Sequence, residues 1–168
     1  MIDISGWGEF RIGDLFHVLK GKRLTKMQMR DGEIPFIGSS AVNNGVTASI
    51  ANDENIVQPP ALTVCYNGSV GSAFFQDKPF AASDDVNVLT LKDRLLTRET
   101  ALFLAPIFRI YGRKYAYADK WRKEIMEQDM IKLPVTLLGE PDWDYMESYM
   151  KQIMDRSECA VSALLRVV

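Results

Sequence analysis

Short apolar runs separated by turn-forming residues occupy the chain between residues 34 and 91. The runs are rich in β-branched and aromatic side chains and are bounded by Gly, Asn, Asp or Pro, a pattern typical of short strands. They lie at 34–37, 46–50, 62–66, 70–75 and 86–91. Before them, residues 10–18 predict a short strand and turn that lead into a strand ending at Gly21. Many short strands with such turns indicate a twisted, mostly antiparallel sheet or an open barrel.

The Asn67-Gly68 dipeptide is the strongest turn signal in this region. This pair readily supplies the positive φ angles that a tight hairpin turn requires. We therefore expect the runs at 62–66 and 70–75 to form a hairpin around it.

Helical signals follow the strands. Thr97 is a suitable N-cap for a helix that runs to about Tyr111, with Gly112 as its C-terminal stop and a kink at Pro106. Pro134, within the apolar run at 131–135, suits an edge strand or a strand end.

A last helix is predicted to start at Pro141 or Asp142, where acidic residues suit the helix dipole. Its apolar positions alternate in steps of three and four residues, as in coiled-coil cores, at Trp143, Met146, Met150, Ile153, Ser157, Ala160, Leu164 and Val167. About 25 helical residues extend roughly 37 Å, more than docking on one small domain requires. Part of the stripe therefore needs a partner, unless the helix packs wholly on its own domain.

The predicted fold class is α+β: a twisted, mostly antiparallel sheet or open barrel with a few helices, followed by one long C-terminal helix. With 168 residues, of which 47% are hydrophobic and 25% are charged, the chain suits one globular domain with an appendage. We expect a domain at residues 1–139 and the helix at residues 140–168.

The longest apolar stretch, residues 101–108, is shorter than the ~20 residues that cross a bilayer. The N-terminus carries Asp3 and Glu9 and lacks the cationic lead and apolar block of a secretory signal. Cys65 and Cys159 are isolated, so they form neither a disulfide framework nor a metal site. We expect a cytoplasmic protein with reduced cysteines and no membrane partner.

The formal net charge of -2 conceals a segregated distribution. Residues 19–30 hold five cations and no acid, and residues 109–123 hold six cations against Asp119. The charged residues between 127 and 147 are all acidic apart from Lys132. Such a chain can present one positive surface to phosphates while its total charge stays near zero. Ordinary solvated surface is the alternative explanation.

Several glycine-marked segments occur in a characteristic order, followed by an acidic helix start. They are Gly21-Lys22-Arg23-Leu24-Thr25-Lys26, the segment from Gly32 to Gly38, Asn43-Asn44-Gly45-Val46, Asn67-Gly68-Ser69-Val70-Gly71 and Pro141-Asp142-Trp143. In order and spacing they resemble the target-recognition domain of type I restriction-modification specificity subunits, from Trp7 to about Tyr149. The resemblance implies a DNA-binding protein that directs a methyltransferase and its nuclease to a DNA sequence.

The resemblance also implies two groups of DNA-binding residues. The glycine-basic loop and its flank supply Lys20, Lys22, Arg23, Thr25 and Lys26, whose cations would neutralise phosphates while the threonine hydroxyl donates to one. The asparagine turns supply Asn43, Asn44, Asn67 and Ser69. Asparagine can pair with adenine, but Asn-Gly is equally an ordinary turn.

The second cationic region interleaves bases with aromatic residues, which suits the wall of a DNA groove. Arg113, Lys114 and Tyr117 are its candidate DNA contacts. Tyr115 and Trp121 are candidates for a supporting role.

In the family that the chain resembles, long helices pair antiparallel between two recognition domains and provide a docking surface for methyltransferase subunits. A member of ordinary length carries two such domains and two helices, whereas this sequence predicts one of each. The resemblance therefore implies a homodimeric half-subunit that reads an interrupted palindrome, with a trimmed remnant as the alternative. The expected interface residues are Trp143, Met146, Met150, Ile153, Ala160 and Leu164. Double-stranded DNA, a methyltransferase subunit and a restriction subunit are the other expected partners.

Catalytic motifs are absent from the sequence. Residues 58–61 lack the leading residue and the ring of an amino-methyltransferase motif, and Pro141-Asp142 precedes no acid-x-Lys of a restriction nuclease. The lone His17 provides no zinc site, and Asp84-Asp85 is expected to cap backbone amides. We therefore expect a non-enzymatic protein without catalytic residues, metal or cofactor. A β-rich protein-interaction module without DNA binding, or a degenerate remnant of a restriction enzyme, is the alternative.

Overall fold

The structure is a computed structural model that describes residues 3–115 and 120–165. Within these residues the chain forms nine strands, four α-helices and two 3-10 turns. In chain order they are β1 (Gly8–Arg11), α1 (Ile12–Leu15), β2 (Phe16–Lys20), a 3-10 turn (Lys26–Gln28), β3 (Asp31–Ile37), a 3-10 turn (Asn43–Gly45), β4 (Val46–Ile50), β5 (Ala61–Cys65), β6 (Ala73–Gln76), β7 (Ala81–Ala82), β8 (Val86–Leu91), α2 (Arg98–Gly112), α3 (Lys123–Gln128), β9 (Met130–Leu133) and α4 (Trp143–Leu165).

A four-stranded antiparallel sheet in the order β2-β8-β5-β6 forms the centre of the fold. Its central strands β8 and β5 are almost wholly buried, which is why their sequences are continuous apolar runs. Helix α2 packs on this sheet, and its Leu104 and Phe108 belong to the same buried apolar cluster as Leu62, Val64 and Leu89. Removal of this apolar surface from water is the main favourable term in folding.

Two smaller sheets complete the fold. In the sheet β4-β3-β7, strand β3 pairs antiparallel with β4 and parallel with β7, and Ile37 of β3 belongs to the same buried apolar cluster as Cys65 and Val88 of the central sheet. Strands β1 and β9 form an antiparallel pair. Strand β9 ends just before Pro134 and is an edge strand, as predicted. The sheets are open and mostly antiparallel, so the predicted α+β class with a long C-terminal helix is confirmed.

Helix α2 begins as the sequence predicts. The Thr97 Oγ1 accepts a hydrogen bond from the Thr100 backbone N–H at 3.2 Å, so Thr97 caps the helix. The helix continues through Pro106 without a break. Gly112 is its last residue and not a left-handed stop, because the next residue, Arg113, keeps a helical φ of -60°. Gly112 has a different use, in a close backbone contact described below.

The hairpin predicted around Asn67-Gly68 is confirmed, but the prediction of a tight turn there is wrong. Strands β5 and β6 do form a hairpin, but β6 begins only at Ala73, so residues 66–72 are a loop. Positive φ angles occur at Gly68 and Gly71, with values of 68° and 80°, and not at Asn67. The Asn67 side chain projects from a loop and not from a two-residue turn.

Helix α4 packs on its own domain over its first part only. The Asp142 Oδ1 accepts a hydrogen bond from the Tyr145 backbone N–H at 2.9 Å and so caps the helix. Tyr149 packs edge-on against Phe103 of α2, with 5.8 Å between ring centroids. From Asp155 onward, the described side chains of α4 are exposed. The helix therefore consists of a packed part and a free part, the latter at residues 155–165.

This packing changes the roles expected for the apolar stripe. Met146 is fully buried in the core of its own domain, so it is not available to a partner helix. Trp143 and Met150 are half-buried against the same core. Ala160 and Leu164 lie in the free part and are exposed. The first turns of α4 are thus part of the domain core. The predicted boundary after residue 139 places them outside it.

We expect Met146→Ala to lower the free energy of unfolding by about 2–5 kcal/mol, because it empties a fully buried site. Met27→Ala is the matched control: Met27 is 98% exposed, so its truncation should change stability by less than about 0.5 kcal/mol. Urea unfolding followed by circular dichroism measures both values. Equal effects of the two substitutions would contradict the packing of α4 on the core.

Candidate nucleic-acid interface

Three loops lie side by side at one end of the central sheet. The register pairs Lys20 with Asn87 and Cys65 with Val86, so β2 ends, β8 begins and β5 ends at the same level. The loops after β2, before β8 and between β5 and β6 consequently lie next to each other. We call this end of the sheet the cationic end, because it carries the basic loop at residues 20–26.

Tyr66 and Asp84 connect the basic loop to its neighbours. The Lys20 ammonium lies 5.5 Å from the centroid of the Tyr66 ring, and a hydrogen bond with the Tyr66 side chain raises the pKa of Lys20. The Tyr66 hydroxyl donates to the Asp84 carbonyl oxygen. The Arg23 Nη1 lies 3.6 Å from the Asp84 Oδ2. Two cations are thus positioned beside the β5–β6 loop.

Asn67 is oriented by hydrogen bonds from two directions. Its Nδ2 donates to the Asp85 Oδ1 at 2.8 Å, and its backbone carbonyl accepts from the Ser39 hydroxyl. The Ser39 Oγ in turn accepts from the Ser69 backbone N–H at 3.2 Å. The Asn67 Oδ1 accepts no hydrogen bond from the described residues. One edge of the Asn67 amide is therefore available to a ligand.

The end of α2 joins the cationic end through two glycines. A Cβ placed on Gly112 would lie 2.5 Å from the Gly71 Cα, so the helix and the β5–β6 loop meet backbone to backbone. This contact places Arg113 near Asn67, and both line a cavity of about 490 Å³ together with Lys120. Arg113 has no ion-pair partner among residues 3–115 and 120–165. A cation and an amide with a free edge share one opening.

Lys114, the next residue, turns to Asp129 instead. Its Nζ lies 2.9 Å from the Asp129 Oδ1, and the Tyr115 hydroxyl and the Trp121 Nε1 each donate to the Asp129 Oδ2 at 2.6 Å. The Tyr115 and Trp121 rings stack with 5.4 Å between centroids. Lys114 is thus paired within the fold. Tyr115 and Trp121 have the supporting role that the sequence predicts. Tyr117 lies outside the described residues.

Asn43 and Asn44 stabilise a turn. Both have a φ of 52°, in the left-handed region. The Asn43 Nδ2 donates to the Val46 carbonyl, and the Asn44 Nδ2 donates to the Phe75 carbonyl, each at 3.1 Å. The Gln76 Nε2 donates back to the Asn44 carbonyl at 3.1 Å. These bonds hold the β3–β4 connection against β6, which favours the ordinary-turn interpretation for this pair.

Among the remaining residues of the basic loop, Thr25 is paired within the fold, whereas Lys22 and Lys26 are available to a ligand. The Thr25 hydroxyl donates to the Gln28 Oε1 at 2.8 Å, so its proton is used inside the 3-10 turn. Lys22 and Lys26 are exposed and have no ion-pair partner in the described part of the chain. Their charges are available to an external anion.

The residues predicted from the sequence for the DNA-binding site do not include Tyr66, Asp84 and Asp85, which position its cations and Asn67. The prediction that the two aspartates cap backbone amides is wrong for their carboxylates, which contact Arg23 and Asn67. A signal was present in the sequence, because both acids directly precede the strand β8 that pairs with the basic end of β2.

The described residues contain no group of three or more His, Cys, Asp or Glu side chains that could hold a metal ion. In the same residues, each helix is too short or too polar to cross a bilayer. Cys65 is buried, and burial raises the pKa of its thiol, whereas Cys159 is exposed.

The fold is that of restriction-modification specificity subunits. The HsdS subunit from Thermoanaerobacter tengcongensis aligns with a TM-score of 0.63 and 16% identity over 99% of this chain and 41% of that chain. The S subunit of a type I restriction-modification system from M. genitalium aligns with a TM-score of 0.60 and 14% identity over 97% and 44% of the two chains. At such identities the likeness concerns the fold alone.

The sequence profile of the type I restriction modification DNA specificity domain matches residues 4–159, and the chain belongs to this family. The chain is 35% identical over 154 residues to the specificity subunit S.BcgI of a type II restriction enzyme from Heyndrickxia coagulans, covering 92% of this chain and 45% of that protein. It is 23% identical over 155 residues to the specificity subunit of the type I restriction enzyme MpnII from Mycoplasma pneumoniae, covering 89% and 46%. The chain spans less than half the length of these two relatives. The family resemblance based on the motifs is confirmed.

Gly112→Ala should destabilise the protein by about 1–3 kcal/mol, because its Cβ meets the Gly71 backbone and forces the loop away from α2. Gly112 is the last residue of α2, so alanine brings there less than the gain of about 1 kcal/mol that it gives in a helix interior, and the net change is a loss. Gly6→Ala is the matched control, since no atom lies within 4 Å of its added Cβ. Thermal unfolding measures both variants. A Gly112→Ala protein as stable as the wild type would contradict the backbone contact.

Proposed function

We propose that this chain is a DNA-binding specificity component with one target-recognition domain, which directs a restriction-modification complex to its site. The observation that supports this most is the cationic end of a chain of the specificity-domain family: Lys20, Lys22 and Arg23 lie on the loop beside the one that carries Asn67, and Arg113 shares a cavity with the free amide edge of Asn67. Cations attract the DNA backbone, whereas amide and guanidinium groups distinguish bases.

Different residues of the cationic end have different tasks in this proposal. Lys22 and Lys26 bind phosphates, which fix the position of the protein on the duplex without reading sequence. Arg113 and Asn67 read base edges, since arginine pairs with guanine and asparagine with adenine through two hydrogen bonds each. One Asn67 N–H is held by Asp85, which leaves its second N–H and its Oδ1 for adenine. Ser69, in the same loop as Asn67, contacts the DNA backbone beside the base.

The reaction belongs to partner subunits in this proposal. A methyltransferase subunit, and a restriction subunit where the system cleaves DNA, act in the cytoplasm at the site that this domain selects. The domain itself performs no catalysis and binds no cofactor. The similar proteins support this division, because they are named as specificity subunits of restriction enzymes.

We further propose that two copies assemble through the free part of α4. In this arrangement the second copy supplies a second recognition domain. The exposed apolar residues Ala160, Val161 and Leu164 support an interface on this part of the helix. A two-fold dimer of identical recognition domains would read an interrupted palindrome.

Replacing Lys22 and Lys26 together with alanine should reduce the slope of log affinity against log salt by about 1.8 per recognition domain, because each lysine neutralises one phosphate. The loss should be similar for duplexes of different sequence. Fluorescence anisotropy with the protein bound to its methyltransferase subunit, between about 50 and 200 mM salt, measures the slope. The matched control replaces Lys78 and Arg98, two exposed cations at the opposite end of the sheet, and should leave the slope unchanged.

Two outcomes of this titration would overturn the proposal or a part of it. Failure of the wild-type complex to bind any duplex at ~50 mM salt would favour a protein-interaction module whose basic surface binds an acidic protein. A loss confined to one DNA sequence would show that Lys22 and Lys26 read bases.

Leu164→Asp should convert the dimer into monomers, because a carboxylate in an apolar interface loses its hydration without gaining a partner. Leu138→Asp is the matched control, since Leu138 is also highly exposed but lies in the turn before α4. Light scattering measures the mass of each variant. A Leu164→Asp protein that remains dimeric would remove the free part of α4 from the interface.

A further inference from the structure

The orientation of the Asn67 amide decides which base its free edge fits. An asparagine side chain has an acceptor oxygen on one side and two N–H donors on the other. With Oδ1 and one N–H outward it matches adenine, which offers the N6 amino donor and the N7 acceptor in the major groove. With both N–H groups outward it matches guanine, which offers two acceptors, N7 and O6. The same side chain can therefore read either purine, depending on which way its amide is turned.

The Asp85 carboxylate fixes this orientation. Its Oδ1 accepts a hydrogen bond from the Asn67 Nδ2 at 2.8 Å. A carboxylate accepts hydrogen bonds and donates none, so only the NH₂ side of the amide can face it. Turning the amide over would place two acceptor oxygens against each other with no proton between them. Asp85 therefore permits one of the two orientations, the one that leaves Oδ1 outward.

Main-chain contacts hold both residues in place independently of this bond. The Asn67 carbonyl accepts from the Ser39 hydroxyl, and the Asp85 carbonyl accepts from the Tyr66 backbone N–H at 3.0 Å. The Asp85 N–H donates to the Ser83 Oγ at 3.3 Å. Both backbones are thus fixed without the carboxylate, whose remaining role is to orient the amide.

We propose that Asp85 is a positioning residue that makes Asn67 select adenine and reject guanine. The inference rests on the base reading proposed above and assigns its selectivity to a residue that does not itself contact the base. Guanine is rejected because its O6 would meet the Asn67 Oδ1, so that two acceptors face each other without a proton to share. The base preference is then a property of the pair Asn67 and Asp85, and not of Asn67 alone.

The neighbouring acid, Asp84, provides a matched comparison. Its Oδ2 lies 3.6 Å from the Arg23 Nη1, whereas the Asp85 carboxylate contacts the Asn67 amide. Both aspartates are half-buried and adjacent in the chain, so Asp84→Asn and Asp85→Asn remove the same charge at nearly the same place. Only Asp85→Asn also frees the amide. A difference in base preference between the two variants therefore reports orientation and not charge.

Selection from a randomised duplex library tests the inference, with each protein bound to its methyltransferase subunit and the retained duplexes sequenced. Asn67→Ala identifies the position that Asn67 reads, as the one where the wild-type preference is lost. At this position the wild type should prefer adenine over guanine by about 10-fold or more. Asp85→Asn should bring the two purines within about 2-fold of each other, because its amide can donate to Oδ1 or accept from Nδ2. Asp84→Asn should keep the wild-type preference.

Asp85→Ala provides a second measurement, because it leaves no group at this position to orient the amide. Asp85 is half-buried, so its truncation should leave the fold intact, which thermal unfolding checks. This variant should also lose the preference for adenine over guanine.

The outcomes separate this inference from the function on which it rests. An unchanged preference for adenine in both Asp85 variants would overturn the inference and leave the recognition of DNA standing. An equal loss of preference in Asp84→Asn would show that charge sets the selectivity, which would also overturn it. The same holds if Asn67→Ala relaxes no position, or if the wild type selects guanine there. A wild-type complex that enriches no sequence at all would overturn the proposed function itself.

Discussion

The backbone contact between Gly71 and Gly112 is the constraint on which the arrangement of the cationic end depends. Packing of α2 on the central sheet brings its last turn to the β5–β6 loop, and the absence of two side chains lets the backbones touch. Arg113 then faces the cavity beside Asn67, while the next residue, Lys114, is rotated away toward Asp129. Two adjacent cations thereby receive different surroundings, one available to a ligand and one neutralised within the fold.

Acidic side chains are part of the positive surface. Asp84 lies beside Arg23, and Asp85 holds the Asn67 amide in one orientation. Such contacts reduce the excess of positive charge but limit the rotamers of the groups that face a ligand. Because ordering a long side chain costs conformational entropy, a group that is already ordered loses less of it on binding. The arrangement favours directional contacts over attraction alone.

Local signals in the sequence predicted the parts of the fold that depend on neighbouring residues. The bounds of β4 and β8 and the Thr97 cap agree with the structure, since strand propensity and capping are local properties. The roles of single polar residues depended on distant partners. Nothing close to Asn44 in sequence indicates its bond to Phe75, and only the folded chain brings Asp129 to Lys114.

The last helix shows the same distinction between pattern and context. The regular three- and four-residue spacing correctly predicted a long helix with an apolar stripe. Spacing identifies which residues share a side of the helix but not what covers them. Met146 and Leu164 both belong to this stripe, yet the first is enclosed by the core and the second is exposed. The difference arises because α2 is long enough to cover only the first part of α4.

The loops of the cationic end come from stretches far apart in the chain, and the paired strands β2 and β3 bracket residues 21–30, the connection that contains the basic loop. Inserting residues there would lengthen an exposed connection and leave the hydrogen-bond register of β2 with β8 unchanged. Doubling the length of a flexible loop costs only about 0.6 kcal/mol. Related chains can therefore diverge in the outline and chemistry of this surface while the buried scaffold stays the same, so that new binding preferences evolve without a large sacrifice of stability.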